Sequence, residues 1–388
     1  MRTDGGGLTT EPRVDVERVL APVSSVLGQV VVYRLHDIGY EIDLEHVAQL
    51  LSDSAPERAR PVRGEAQAIQ ISNPPITAGL GAAEVVVAGR PWTAKLSARI
   101  FDFGVVSLRA RIERPHRVPW GEFLDWAPAC ASAAGWKDVF HDARRRLLER
   151  IAPAITKPGE AQVTEDYTVF RIHHLMDLDG LGLPASVLPE DDVTQLLTGE
   201  TRPLSAAARR DLTSQRFSYF EDDLAVLTWN AALVVEPVID DTDVQYVLEF
   251  ANAQLLELRY YDAILDQELP QMYDRIEHAR HRFHFIGRRY SRLLTALQAR
   301  VAEVTELVER SENALKMTDD VFLARIYAAA LEIFRGRTWR QGIDGKLAII
   351  RDAYSMLNAE SQARRAEILE VIVVLLIALE IVLAFWHR

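Results

Sequence analysis

Apolar positions follow one rhythm up to about residue 237 and another beyond residue 242. In the first part they alternate with polar residues or gather in short β-branched runs, and in the second they recur every three or four positions, as on one face of a helix. The stretch VVVYRLHDIGYEIDLEHVAQLL predicts a strand over residues 29–36, a turn at Gly39 and a short helix capped by Asp43. Residues 52–65, rich in Arg, Pro, Ser and Glu, read as a loop. AIQIS, AEVVVAG and WTAKLSARIFDFGVVSLRARIE add strands, because aromatic and β-branched side chains suit a half-buried pleat. Residues 119–155 read as helical, with Pro153, Pro158 and Gly159 as a linker. DYTVFRIHHL is then a strand and VTQLLTGE lies in a short helix. RFSYFEDDLAVLTWNAALVVEP is a hairpin or meander broken at Asp222, Asp223 and Asn230.

In the second part Val244, Ala251, Leu258 and Leu265 stand seven apart, with Val247 and Leu255 between them. Leu294, Val301, Val308 and Leu315 repeat the spacing with Leu297 and Val304, which predicts a coiled-coil seam. Asp319 or Asp320 caps a shorter helix that Gly336 stops, and a last helix begins near Asp344, with Leu347, Ile350, Tyr354 and Leu357 on one side. It runs into RRAEILEVIVVLLIALEIVLAFWHR. Residues 366–386 would span roughly 30 Å at about 1.5 Å each, the depth of a hydrocarbon core. Glu380, deep in that run, costs very roughly 2.5–3.5 kcal/mol in a bilayer, and Glu370 lies nearer the polar end. The surrounding Leu, Ile, Val and Phe residues outweigh both.

The expected fold is therefore an α+β head domain followed by a long-helix coiled-coil stalk and one C-terminal transmembrane helix. Residues 1–28 form a flexible start, 29–240 the head with a division near 153–163 left open, 241–365 the helical coiled-coil region and 366–386 the anchor. Arg364 and Arg365 precede the apolar run and only His387 and Arg388 follow it. That asymmetry predicts a tail-anchored, single-pass protein of a bacterial inner membrane, its bulk in the cytoplasm.

Length and charge narrow the function. The 388 residues, 48% hydrophobic, suffice for two cores or for one domain with a helical extension. A net charge of −12 makes nucleic acid an unpromising main partner, since phosphate binding needs clustered Lys and Arg. Cys130 is the single cysteine, which excludes an intramolecular disulfide and fits a reducing compartment. The amino terminus, MRTDGGGLTTEPRVD, lacks the composition of a secretory or transit signal.

Candidate chemistry is sparse. His173, His174, Asp177 and Asp179 offer imidazole and carboxylate to a divalent metal, but adjacent strand residues face opposite ways, so one histidine is lost. His278, His281 and His284 are three apart, and the outer two diverge by about 120° and about 9 Å on a helix. The chain has no G-x-x-x-x-G-K-S/T loop and no G-x-S-x-G elbow, and Gly180 with Gly182 is a lone G-x-G. Glu249, Glu257 and Asp262 fit solvent exposure or pairing with Arg259. No catalytic residue, cofactor or metal is assigned.

The order of RIFDFGVVSL, LLTGE with SYFEDDLAVLTWNAALV, VLEFANAQLLELRYYDAILD and the Glu-flanked apolar tail resembles the required-for-meiotic-nuclear-division family. That resemblance implies the head-and-anchor architecture and oligomerisation, and no catalytic residues. Two functions remain. One is an oligomeric scaffold or assembly protein anchored in the lipid bilayer, self-associating through residues 242–386, with an unknown protein partner on the head and Glu380 packing between copies. The other is a channel-like or transport-associated protein with Glu370 and Glu380 along its helices.

Overall fold

The structure, a computed structural model, describes residues 23–54, 57–58, 73–159, 163–238, 242–281 and 320–386, with single helical positions at 295, 299, 302 and 305. Its centre is β1 (Ser25–Asp37), where alternate side chains go to opposite faces and both faces are covered. Val30 and Val32 belong to one apolar core, and Val31, Tyr33 and Leu35 to another. After it come β2 (Gly39–Ile42), α1 (Leu44–Leu50), β3 (Glu57–Arg58), β4 (Ile76–Val87), β5 (Arg90–Ile100), β6 (Val105–Glu113) and β7 (Val118–Pro119). Helices α2 (Trp120–Ala131) and α3 (Trp136–Ile151) lead to β8 (Ile155–Pro158) and β9 (Thr164–Met176). Then follow α4 (Glu190–Thr198), α5 (Ala206–Leu212), β10 (Arg216–Phe217), β11 (Leu224–Leu227) and β12 (Ala231–Val235). The long helices are α6 (Asp243–His281), α7 (Val321–Ile333) and α8 (Gly336–Trp386).

Among the described residues ten strands make one mixed sheet in the order β10-β11-β12-β9-β1-β6-β5-β4-β3, with β7 also on β1. The β12–β9 pair is parallel and the others antiparallel. Strands from either side of Pro158 thus share one sheet. Apolar residues of α1, α2, α3 and α4 join the core on one face, and those of α6 and α7 the core on the other, a three-layer arrangement.

Local signals account for the joints. The Asp43 side chain accepts from the N–H groups of Glu45 and His46 and starts α1, and that of Asp320 accepts from Phe322 and Leu323 and starts α7. The F-D-F-G turn joins β5 to β6. Gly104 has a φ of +96°, and a Cβ there would lie 1.8 Å from the Gly39 carbonyl oxygen, so only glycine fits. The neighbouring Phe101 and Phe103 pack their rings against Phe250 of α6.

The expected stalk and anchor need correction. Val244, Val247, Ala251 and Leu255, read as a coiled-coil seam, are buried against the sheet and α7 inside the head. An apolar stripe repeating every three or four residues serves any amphipathic helix, and here its partner is a sheet face. Further along, Leu258, Tyr261 and Leu265 of α6 pack with Ile343, Leu347 and Ile350 of α8 in a third cluster. The seam from Leu294 to Leu315 lies outside the described residues.

Residues 366–386 form the distal part of α8, a continuous 51-residue helix. Among the described residues, however, no helix is long and apolar enough to cross a membrane. The stretch free of carboxylates between Glu370 and Glu380 has nine residues, about 14 Å against the roughly 30 Å of a hydrocarbon core. The transmembrane segment, the tail-anchored topology and the single-pass membrane location are therefore not supported.

Candidate functional site

Where α6 leaves the sheet face uncovered, β4, β5 and β6 form a recess of about 320 Å³. Its polar lining is Thr77, Lys95, Ser97, Arg109 and Arg111, with Gly79 at an open position. Strand register explains the grouping. Lys95 stands opposite Arg111 and Ser97 opposite Arg109 across β5 and β6, while Gly79 stands opposite Ser97 across β4 and β5. Partners across a ladder share a face, so the pleat turns all of them the same way. A bulge between Gly79 and Gly81 shifts the register beside the recess.

The cations are held before any ligand arrives. Arg109 Nε donates to Ser97 Oγ at 3.1 Å, and its guanidinium lies 3.9 Å from Glu249. Arg99, one step deeper, donates from Nε to Thr77 Oγ1 at 3.3 Å and forms a buried ion pair with Glu249. Its guanidinium also stacks 4.7 Å over the Tyr246 ring, and burial raises the Tyr246 phenol above its ordinary pKa. At the open side, Lys95 Nζ donates to Glu113 at 2.9 Å, and Arg111 is 3.9 Å from the same carboxylate. The gradient is steep. The Arg99 and Glu249 side chains are 5% and 1% exposed, and that of Lys95 is 69% exposed.

A second polar cluster lies where β1 meets α6. Asp37 accepts from the Gly39 N–H at 3.2 Å, yet its second oxygen has no hydrogen-bond partner, and neither does Oε1 of Glu257. Burial pushes the Asp37 carboxyl up to about 7. Burial and then the Asp37 charge raise Glu257 well above the usual carboxylate range, partly offset by its hydrogen bond to Tyr261. On the opposite face of β1 from Asp37, His36 is buried with neither ring nitrogen hydrogen-bonded; burial first, then the charges of Arg144 and Arg34, lowers it to about 4. Packing thus favours the neutral form of two carboxyls on one face of β1 and of an imidazole on the other.

The residues singled out in the sequence do not converge. His173 turns into the protein, its Nδ1 2.7 Å from the Val238 carbonyl oxygen, while His174 is exposed. Asp177 accepts from the N–H groups of Asp179 and Leu181 at 2.9 and 2.8 Å, which makes it a turn residue. Glu370 and Glu380 are exposed on α8. The backbone at His278 and His281 is helical, and His284 lies outside the described residues. Among the described residues no group of three or more His, Cys, Asp or Glu side chains could hold a metal ion. Glu249 and Glu257, read as solvent-exposed or paired with Arg259, are buried; Arg259 pairs with Glu165. The recess has no linear signature because its residues come from four strands, though the alternation of Lys95, Ser97 and Arg99 with Ala94, Leu96 and Ala98 shows one polar face on β5.

Residues 27–242 match the family described as uncharacterized protein MJ0711, N-terminal domain. The chain is similar to the uncharacterized protein MJ0711 of Methanocaldococcus jannaschii, 22% identical over 245 residues that cover 63% of this chain and 73% of the relative. No solved structure matches. These findings correct the expected membership of the required-for-meiotic-nuclear-division family. Two of the segments that carried that resemblance, RIFDFGVVSL and SYFEDDLAVLTWNAALV, fall within the matched residues and are sheet strands with their turns, whose aromatic and β-branched pattern many sheets share. The archaeal relative and the lack of a spanning helix among the described residues also leave the bacterial inner-membrane location without support. The family match covers more than half of the chain, which belongs to the family of uncharacterized protein MJ0711, N-terminal domain.

Proposed function

We propose that this protein is an oligomeric scaffold whose copies join through the distal part of α8, leaving the three-layer head to bind a partner or ligand. The observation that carries this reading is the exposure of Leu369, Ile372, Leu376, Leu379 and Leu383, each about half exposed, with Trp386 at 84%. Val371, Ile372, Val373 and Val374 are consecutive and all exposed, so the apolar surface runs round the helix. A helix apolar on every side needs cover, and a patch of this length exceeds what a lone chain ordinarily leaves open.

Copies of the same helix suit that surface. Glu370 and Glu380 are ten residues apart and about 80° apart in projection, so a bundle can keep both carboxylates at its wet rim while the remaining sides pack. Apolar residues 343–353 of α8 are engaged with α6, and no described residue of 366–386 belongs to the apolar cores. The channel-like alternative needs a membrane span, which no helix among the described residues provides.

Light scattering on the full chain and on a chain ending at Arg365 tests the scaffold. The full chain is expected to be an oligomer and the shortened chain to fall to a lower order with unchanged helical signal per folded residue. A full chain that is monomeric at micromolar concentration overturns the reading.

A further inference from the structure

The recess on the open sheet face has the makings of a binding site, and it stands independently of self-association. We propose that it binds a small phosphorylated ligand, a phosphate ester whose anionic group is held by Lys95, Arg109 and Arg111.

Three features combine in this assignment. The first is the donor set. Lys95 supplies an ammonium, Arg109 and Arg111 supply forked guanidinium donors, and all three line the same cavity. Ser97 and Thr77 accept through their oxygens from Arg109 and Arg99, which leaves each hydroxyl proton to be donated outward. Ammonium, guanidinium and hydroxyl donors from three adjacent strands approach from several sides, which suits a tetrahedral oxyanion better than a planar carboxylate.

The second feature is preorganisation. The inner arginines are fixed by Glu249, so Arg109 loses little freedom when a ligand arrives. The outer pair is exchangeable. The Lys95–Glu113 contact joins side chains 69% and 39% exposed, and a solvent-exposed ion pair contributes at most about 1 kcal/mol. Lys95 can therefore leave Glu113 for a phosphate oxygen at little cost.

The third is room. A cavity of about 320 Å³ sits at the lower end of the roughly 300–1,000 Å³ typical of small-molecule sites, larger than a bare phosphate needs. Gly79 keeps it open. A Cβ added there meets nothing within 4 Å, and Gly79 is not among the glycines with positive φ, so a larger side chain would project into the recess without straining the strand. Val31 provides an apolar contact for the ester's organic part.

Calorimetric titration of the full chain with glycerol 3-phosphate, pyrophosphate and inorganic phosphate tests the assignment. The expected result is saturable binding, one per chain, for at least the ester, weakening as salt is added. Gly79→Leu, which fills the recess, and Lys95→Gln, which alters an exposed side chain, should each weaken binding by about tenfold or more. Circular dichroism and the melting temperature should stay at the wild-type values. Gly345→Leu, at an exposed glycine of α8 with the same open space, is the control and should bind as wild type. Absence of binding by every probe overturns the proposal, as does binding that survives both recess variants. Binding of inorganic phosphate without the ester would overturn the ester and leave a simple oxyanion site. Binding of an oligonucleotide that persists in Gly79→Leu would place anion recognition elsewhere on the chain. If Gly79→Leu fails to fold, Lys95→Gln decides.

Discussion

One face of the sheet carries two sets of basic and acidic residues that end in opposite circumstances. Under α6, Arg99 and Arg109 share Glu249 with almost no access to water. Two to four residues further along β5 and β6, Lys95 and Arg111 share Glu113 in the open. The chemistry is the same, one carboxylate between two cations, and the difference is what lies overhead. A helix covers the first group, so its charges are met by protein groups rather than by water. Water reaches the second, so its charges can be taken up by something else. The covered group holds structure and, through Arg109, sets a fixed guanidinium at the inner wall of the recess, while Lys95 of the open group can exchange its partner.

The strongest way to break that comparison is to remove Glu249. Glu249→Ala leaves two buried guanidinium groups without this carboxylate, and breaking a buried pair costs about 3–5 kcal/mol. Urea unfolding of the full chain should show the midpoint shift with an unchanged slope. A loss below about 1 kcal/mol would mean that water enters the covered half as freely as the open half. Replacing the pair together, as Arg99→Met with Glu249→Leu, should recover only part of the loss, because the apolar pair needs no counter-charge while Arg109 still lacks the carboxylate that stood 3.9 Å from it.

Much of the sheet was legible in the chain and little of the site. Alternation located the strands around Val30, Val85, Leu108 and Val234, and the cap at Asp43 set the first helix. These signals are local, a few residues fixing their own backbone. The heptad-like stripe from Val244 to Leu255 was also visible, but it could not say whether a helix or a sheet would meet it. The apolar run after Arg365 was read as a membrane segment because length and mean hydropathy dominate such a reading, while Glu370 and Glu380 cut it into pieces too short to span. The recess depends on register between β4, β5 and β6. No spacing along one strand encodes that.

An intermediate effect is expected at the other buried cluster. The folded chain holds Asp37 protonated up to about 7, whereas an unfolded aspartic acid loses its proton near 4. Between those values the native state binds more protons, so this residue's contribution to stability falls as pH rises and levels off above about 7. Asp37→Asn removes the effect and keeps the acceptor for Gly39. The variant should therefore gain on the wild type by up to about 1.4 kcal/mol per pH unit across that window. His36, on the other face of β1, works the other way. It is lowered to about 4, so its contribution is full above about 6.5 and is lost as pH falls towards 4. Denaturant midpoints measured from pH 4 to 8 for Asp37→Asn and His36→Gln should diverge from wild type in opposite directions. Parallel curves would show that both sites are wetter than their packing indicates.

The smallest effect sharpens the comparison most, because it sets the open group directly against the covered one. Glu113→Gln removes the carboxylate that Lys95 and Arg111 share, as Glu249→Ala removes the one shared by Arg99 and Arg109. Lys95 is largely exposed and keeps its hydration, and the Glu113 side chain is itself 39% exposed. The change should alter stability by no more than about 0.5 kcal/mol, within the usual range for surface positions. Its consequence should appear in binding. With the competing carboxylate gone, Lys95 and Arg111 no longer have to leave an anion of their own to take up a phosphate, so glycerol 3-phosphate should bind more tightly, with a steeper dependence on salt. If Glu113→Gln costs as much stability as Glu249→Ala, the outer group is structural after all. If stability holds and the phosphate affinity falls, Glu113 orients the cations, and the open half is as preorganised as the covered one.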